Sequence, residues 1–230
     1  VFISAVWLAL VVVAAIWPSL LAPGDPLVGI PLDKLQPPSP EHWFGTDQIG
    51  RDLYTRVVHG ASLTLSAAAI AVGLGMLVGA VLGLVAGYTG GRIDDLIMRA
   101  ADVLLAIPGL LLSLAVITAL GFGTINVAIA VGVASIASVA RIMRAEVLRV
   151  KSAPYVEAAR TSGNRWSSVL FRHVLPNAVG PVLVLSVLEL CGAILAVSAL
   201  SFLGYGAQPP LAEWGSLVSG GRDFLRYAWW

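Results

Sequence analysis

The residues of segment 152–163 are suited to receiving a mechanical displacement from a partner protein, and not to making or breaking covalent bonds. It reads Ser-Ala-Pro-Tyr-Val-Glu-Ala-Ala-Arg-Thr-Ser-Gly and lies between two strongly apolar stretches. Ser152 can cap a helix, and Pro154 suits the first helical turn. Glu157 near the start and Arg160 near the end both interact favourably with the helix dipole. The pattern predicts a short helix that stops at the final glycine.

A helix of about ten residues is roughly 15 Å long, too short to cross a bilayer and well suited to lie along its surface. Tyr155, Val156 and Ala159 give the predicted helix an apolar edge, and the small side chain of Ala158 leaves room for a partner. The segment is therefore either a docking site for another protein or a solvated loop helix without a partner. The residues alone leave both interpretations open.

Motifs for covalent chemistry are absent from the sequence. It contains no Gly-x4-Gly-Lys-Ser/Thr phosphate loop, no His-Glu-x-x-His zinc motif and no nucleophile elbow. With three histidines and one cysteine there is no disulfide framework within the chain, and we expect no metal, cofactor or catalytic residue. A net charge of +1 gives no reason to expect nucleic acid. We therefore predict a protein that is not an enzyme and takes energy from a partner.

The composition is that of a membrane protein: 58% of the 230 residues are hydrophobic, 12% are charged, and the mean hydropathy is +0.88. Uncharged stretches long enough for a span of about 20 residues recur along the chain. They predict an all-α multi-pass membrane protein in contact with lipid. The expected spans are 1–17, 62–88, 98–120, 125–149 and 169–203.

The chain also divides by composition. Residues 1–17 are expected to be a first transmembrane helix with a truncated start, although a signal-peptide core is an alternative. The proline-rich residues 18–61 cannot cross a bilayer and predict an extracytoplasmic loop, in which 52–59 is either an amphipathic helix or, preferably, a surface loop. Residues 62–203 form the core transmembrane domain. Residues 204–230 are expected to lie outside and to lead to a missing last helix.

Basic residues set the expected orientation. Most Lys and Arg residues lie in the turn 92–99 and in the segment 141–172. Because positive charge beside a span marks the cytoplasmic side, both segments are predicted to be cytoplasmic. The same argument places the helix 152–163 in the cytoplasm.

Two features inside the spans could belong to a pathway through the membrane. Glu189 is a lone carboxylate well within an apolar helix, so it should face the bundle interior, water or a subunit interface, unless it only makes a structural hydrogen bond to a neighbouring helix. Pro108 removes a backbone donor in mid-helix, and a kink is expected there. Asp102 near the polar end of that helix is predicted to reach interfacial water or first-turn amides.

A row of small residues follows one side of the second span, with Gly75, Gly79, Gly83 and Gly87 at every fourth position. Small residues let helix backbones approach closely inside a membrane. The row predicts either tight packing within this chain or a face that lines the pathway or contacts a second subunit.

Nearly the whole chain, from residue 42 to 230, resembles the C-type permease subunits of dipeptide and oligopeptide ABC importers. The Glu-Ala-Ala pattern is typical of ABC importer permeases in general, and the Phe-Gly-Thr-Asp and Leu-Ser-Phe-Leu-Gly motifs narrow the likeness to the peptide and nickel branch. The matching motifs are Phe44-Gly45-Thr46-Asp47, Gly50-Arg51-Asp52, Gly90-Gly91, the run 102–109, Glu157-Ala158-Ala159, Leu175-Pro176-Asn177 and Leu200-Ser201-Phe202-Leu203-Gly204.

The resemblance implies the six-helix importer permease fold, with about five spans present here, in a bacterial plasma membrane. It implies that 152–163 is a coupling helix seated on a cytoplasmic ATPase, through Tyr155, Glu157, Ala158, Ala159, Arg160 and Gly163. The implied partners are a second, B-type permease, two ATPases that carry ATP and Mg, and an extracytoplasmic substrate-binding protein. The implied cargo is a peptide, which this subunit would help to move through half of a pathway.

Two other functions stay open at this point. The same importer class could carry nickel or another small chelate, including haem-like ligands. A proton-coupled secondary transporter would need a relay of buried ionisable groups, and the sequence offers Glu189 alone.

Overall fold

A computed structural model describes residues 2–230, which are mostly helical and contain one isolated β-bridge, between Thr46 and Asp52. Single helical turns lie at Pro18–Leu21, Pro31–Asp33 and Arg222–Phe224. The longer helices are α1 Phe2–Ile16, α2 Leu53–Thr89, α3 Gly91–Leu105, α4 Gly109–Leu120, α5 Thr124–Lys151, α6 Pro154–Thr161, α7 Trp166–Phe202 and α8 Trp214–Gly221.

Three of these helices, α2, α5 and α7, are long and apolar enough to cross a membrane, and the α3–α4 pair is a fourth span if it is counted as one. The apolar helix α1 has 15 residues and is shorter than the usual span. The all-α multi-pass architecture is confirmed, whereas a first span over 1–17 stays a prediction.

Helix α2 begins nine residues earlier than the expected start at 62, because Asp52 caps it. The Asp52 carboxylate accepts hydrogen bonds from the backbone N–H of Thr55, at 2.8 Å, and from its hydroxyl, at 2.7 Å. The surface loop preferred for 52–59 is therefore wrong, since these residues form the first turns of α2. With 37 residues, about 55 Å, the helix is longer than a bilayer core.

The chain bends by 94° between α3 and α4. Pro108 has no N–H to continue the α3 ladder, and its carbonyl instead accepts the Leu112 N–H at 3.0 Å, in the first turn of α4. The kink expected at Pro108 is thus confirmed, and it separates two helices where a bend within one helix was expected. The turn expected over 92–99 is wrong, because α3 already starts at Gly91 and includes these residues.

The chain divides into two compact units. One comprises residues 70–116 and 129–193, and its core includes Val139, Met143 and Val147 of α5 with Val169 and Val174 of α7. In this unit the glycine row of α2 packs against α5. A Cβ at Gly79 would lie 2.7 Å from the Ile136 carbonyl oxygen, so no larger side chain fits without a shift.

The other unit comprises residues 1–69, 117–128 and 194–230. Its small core joins Ala14 of α1, Ala22, and Val58 and Ala61 of α2. The loop in front of α2 is ordered by tight turns. Gly50 adopts a φ of +80°, and a Cβ there would collide with the Ile30 carbonyl, which explains a glycine at this position.

Candidate functional site

Helix α6 is the part of the chain that the sequence singled out, and it spans Pro154–Thr161. Pro154 occupies the first turn as expected, but the preceding cap residue is Ala153. The expected cap Ser152 is wrong, because its hydroxyl donates backward to the Arg149 carbonyl at 2.9 Å. Gly163 has a φ of +78°, a conformation that favours glycine and ends the helix.

Two side chains anchor α6. Val156 is 0% exposed and Ala159 is 7% exposed, and Val156 belongs to the core cluster formed with α5 and α7. Val156 and Ala159 therefore form the apolar edge that was expected for α6. Tyr155, which was assigned to the same edge, is 47% exposed.

The opposite face of α6 is open. Tyr155, Glu157, Ala158 and Arg160 are all exposed, and their side chains are not part of the core. Val156 holds α6 against the core formed by α5 and α7, while the other face of the helix stays exposed to solvent.

Tyr88, near the end of α2, contacts Arg160 of α6 and the residues on either side of α6, Lys151 and Trp166. Its hydroxyl donates to the Trp166 carbonyl at 2.9 Å, and its own carbonyl accepts from Lys151 Nζ at 2.7 Å. The Lys151 ammonium and the Arg160 guanidinium lie 5.6 and 5.9 Å from the centre of the Tyr88 ring, within cation–π range. The sequence analysis missed this residue, although an aromatic side chain at the end of an apolar span was a usable signal.

A π-helical segment lies near the start of α7, at Leu170–Val174. The Leu175 N–H bonds to the Leu170 carbonyl, the hydrogen bond of a π-helical turn. The next residue, Pro176, has no N–H to bond to the carbonyl four residues earlier. The Asn177 side-chain amide donates to the His173 carbonyl at 2.7 Å. The Leu-Pro-Asn motif thus marks a widened turn, a feature that is frequent at functional sites.

Ion pairs join α3 to α5 near this region. Arg144 donates to both carboxylate oxygens of Asp94, at 2.5 and 2.6 Å, and Arg141 donates to Asp102 at 2.5 Å. Asp102 was predicted to reach interfacial water or first-turn amides. Its side chain is 64% exposed, which agrees with contact to water, and the carboxylate also has a basic partner on the neighbouring helix that was not predicted.

Glu189 lies on α7 and is half-buried. It accepts a weak hydrogen bond from the Ser138 hydroxyl on α5, at 3.4 Å, while that hydroxyl lies 2.8 Å from the Ser135 carbonyl. The contact matches the structural hydrogen bond that was the alternative for this carboxylate. A place in the pathway stays a prediction.

The other pathway candidates have different surroundings from one another. Gly75, Gly79 and Gly83 are covered by α5, which is the tight-packing alternative. Pro108 lies in the bend between α3 and α4. No group of three or more His, Cys, Asp or Glu residues between 2 and 230 is placed to hold a metal ion.

Comparison with known proteins agrees with this geometry. A family model described as binding-protein-dependent transport system inner membrane component matches residues 79–224, and the chain belongs to that family. It is an integral membrane protein of the permease type. A solved structure titled as the crystal structure of an amino acid ABC transporter with histidines shares the fold, with a TM-score of 0.58, 19% identity and coverage of 77% of this chain and 81% of that one.

Curated relatives extend over almost the whole chain. A dipeptide transport system permease protein of Alkalihalophilus pseudofirmus is 40% identical over 95% of this chain and 72% of its own length. A glutathione transport system permease protein of Pectobacterium atrosepticum is 40% identical over 96% and 73%. A probable D,D-dipeptide transport system permease protein of Escherichia coli is 39% identical over 99% and 76%. These relatives, named as permease proteins and not as enzymes, confirm the resemblance to peptide importer permeases.

Proposed function

We propose that this chain is the permease subunit of an ATP-driven importer of short peptides in the bacterial plasma membrane, where it forms half of the translocation pathway. Family membership and the relatives named for dipeptide and glutathione transport support the cargo class. The observation that carries the proposal is α6: Val156 and Ala159 are buried in the protein, while Glu157 and Ala158 present an open face.

In this proposal α6 is the coupling helix, and its exposed face is the contact for a cytoplasmic ATPase. The positive charges of the adjoining end of α5, at Arg141, Arg144, Arg149 and Lys151, support the cytoplasmic location. Two ATPases hold ATP and Mg, a second permease completes the pathway, and a substrate-binding protein delivers the cargo outside. Tyr155, Glu157, Ala158 and Arg160 contact the ATPase, Ala159 holds the helix in place, and Gly163 shapes its end.

The pathway assignments follow from the same proposal. Glu189 is the ionisable group placed deep in α7, and we assign it to the pathway or to the interface with the second permease. Pro108 is also assigned to the pathway or to the interface with the second permease, because the bend there gives α3 and α4 different directions. Gly75, Gly79 and Gly83 contribute by holding α2 against α5, so that the two helices move together.

Docking is tested by Ala158→Arg in the assembled transporter. A long charged side chain on the open face should prevent the ATPase from seating, so copurification of the ATPase and peptide uptake should both fall at least tenfold. Ala158→Ser keeps the small volume and should retain both activities. Ala145→Arg adds the same charge at an exposed position of α5 and serves as the second control. Normal copurification and uptake with Ala158→Arg would refute the docking role.

The energy source is tested in membrane vesicles that contain the complex. Uptake of a labelled dipeptide should require ATP inside the compartment that holds the ATPases and should persist when an uncoupler removes the proton gradient. Loss of uptake with the uncoupler at constant ATP would instead support a proton-coupled carrier. Stimulation of ATP hydrolysis by a nickel chelate and not by dipeptides would overturn the cargo assignment.

A further inference from the structure

A cavity of about 510 Å³ lies in the unit that contains the loop before α2 and the C-terminal residues. This volume is within the range of sites that hold small organic ligands. Its walls are largely apolar and aromatic, and its charged lining consists of one carboxylate and three guanidinium groups. The lining includes Phe44, Asp47, Arg51, Arg56, Phe202 and Trp230.

Arg56 is the unusual member of this lining because it is 4% exposed and incompletely paired. One terminal nitrogen donates to the carbonyls of Pro26, at 2.8 Å, and Pro210, at 3.3 Å. Its Nε has no hydrogen-bond partner among residues 2–230. A buried cationic donor without a partner is costly, so an anion in the cavity would be stabilised by it.

The only nearby carboxylate on the lining, that of Asp47, is already committed. Its Oδ2 accepts from Arg51 Nε at 2.7 Å, and its Oδ1 accepts from the backbone N–H groups of Ile49 and Arg51, each at 3.0 Å. Arg56 Nε is 3.7 Å from the same Oδ2, beyond hydrogen-bond distance. Two buried guanidinium groups therefore share one carboxylate and leave an excess positive charge.

We propose that this cavity binds the free C-terminal carboxylate of a short peptide, with the peptide's apolar side chain against Phe44 and Phe202. The inference rests on the proposed peptide cargo and adds a binding site for it on this subunit. A guanidinium group forms short, charge-assisted hydrogen bonds with a carboxylate, and the apolar walls favour an aromatic or aliphatic residue beside it. An amide at the C-terminus would leave the excess charge unpaired.

The test uses the purified complex of the permeases and ATPases, without nucleotide and without the substrate-binding protein. Alanylphenylalanine and its C-terminal amide are titrated, and tryptophan fluorescence reports binding because Trp229 and Trp230 line the cavity. The acid should bind saturably and at least tenfold more tightly than the amide. Equal affinity of the two probes would overturn the proposal.

Variants locate the site. Arg56→Gln should weaken acid binding at least tenfold and abolish the preference over the amide, whereas Arg92→Gln, at an exposed arginine in the other unit, should change neither. Val218→Trp fills the cavity from its exposed rim without altering an arginine and should also abolish binding. Unchanged binding in Val218→Trp would overturn the assignment even if Arg56→Gln does not fold.

Failure of this inference can be told from failure of the proposed function. ATP-driven dipeptide uptake combined with no preference for the acid would overturn the cavity site and leave the importer intact. Acid-selective binding without ATP-driven uptake would support the cavity and overturn the importer. If Arg56→Gln weakens association with the substrate-binding protein and leaves dipeptide affinity unchanged, the cavity accepts an acidic side chain of that protein and the peptide site is wrong.

Discussion

The charged groups of α6 and those of the loop before α2 differ in their exposure to solvent. Glu157 and Arg160 extend from the surface of α6 into solvent, whereas Asp47 and Arg51 are each 8% exposed and bond to each other. Exposed charges gain little from pairing, and they remain available to another protein. Buried charges must be compensated within the fold. The same residue types are therefore accessible to a partner in one region and provide internal order in the other.

The largest effect expected from this difference is that of Asp47→Asn. The change removes the one carboxylate that Arg51 and Arg56 share, and loss of one partner from a buried ion pair costs about 3–5 kcal/mol. The free energy of unfolding of the detergent-solubilised protein should fall by that amount. Asp223→Asn removes a carboxylate whose side chain is 73% exposed and should change stability by less than about 1 kcal/mol. Equal losses in the two variants would contradict the comparison.

A smaller effect is expected for Tyr88→Phe, which removes the hydroxyl that donates to the Trp166 carbonyl and keeps the ring under Lys151 and Arg160. Stability should fall by about 1 kcal/mol, the net value of one hydrogen bond. Because the bond ties α2 to the start of α7 beside α6, the number of peptides imported per ATP hydrolysed should also fall. Unchanged stoichiometry together with lower stability would show that Tyr88 has a structural role alone.

The smallest effect is expected for Asp102→Asn. Its ion pair with Arg141 joins side chains that are 64% and 54% exposed, so its loss should cost less than about 1 kcal/mol at low salt and still less at high salt. Unfolding measured at two ionic strengths checks this. A loss as large as that of Asp47→Asn would show that exposure does not decide the strength of these pairs.

The sequence was sufficient where local chemistry decides structure. Pro154 and Gly163 mark the two ends of α6 as predicted, and Pro108 marks the break between α3 and α4. The uncharged stretches form the long helices. These features depend on a missing donor, a positive φ or continuous hydrophobicity, all of which can be read from single residues and their neighbours.

Features that depend on distant residues could not be predicted in the same way. The partners of Asp102 and Tyr88 lie on other helices, at separations of 39 and 78 positions along the chain. Whether the glycine row of α2 faces α5 or a second subunit depends equally on how the helices pack. Arg56 lies in the segment 52–59, which was expected to be an amphipathic helix or a surface loop. It is buried because it bonds to the carbonyls of Pro26 and Pro210, which are distant along the chain.

The glycine row also limits how this protein can change during evolution or engineering. A Cβ at Gly79 would lie 2.7 Å from both the Ile136 carbonyl oxygen and Val139 Cβ, and one at Gly87 would lie 2.9 Å from Val147 Cβ. Since these are backbone and Cβ atoms, a smaller side chain on α5 does not make room, and replacement of either glycine requires the two helices to move apart. The two helices thus form an interlocked pair whose sequences are constrained jointly. Substitutions are tolerated more readily at exposed positions outside this seam.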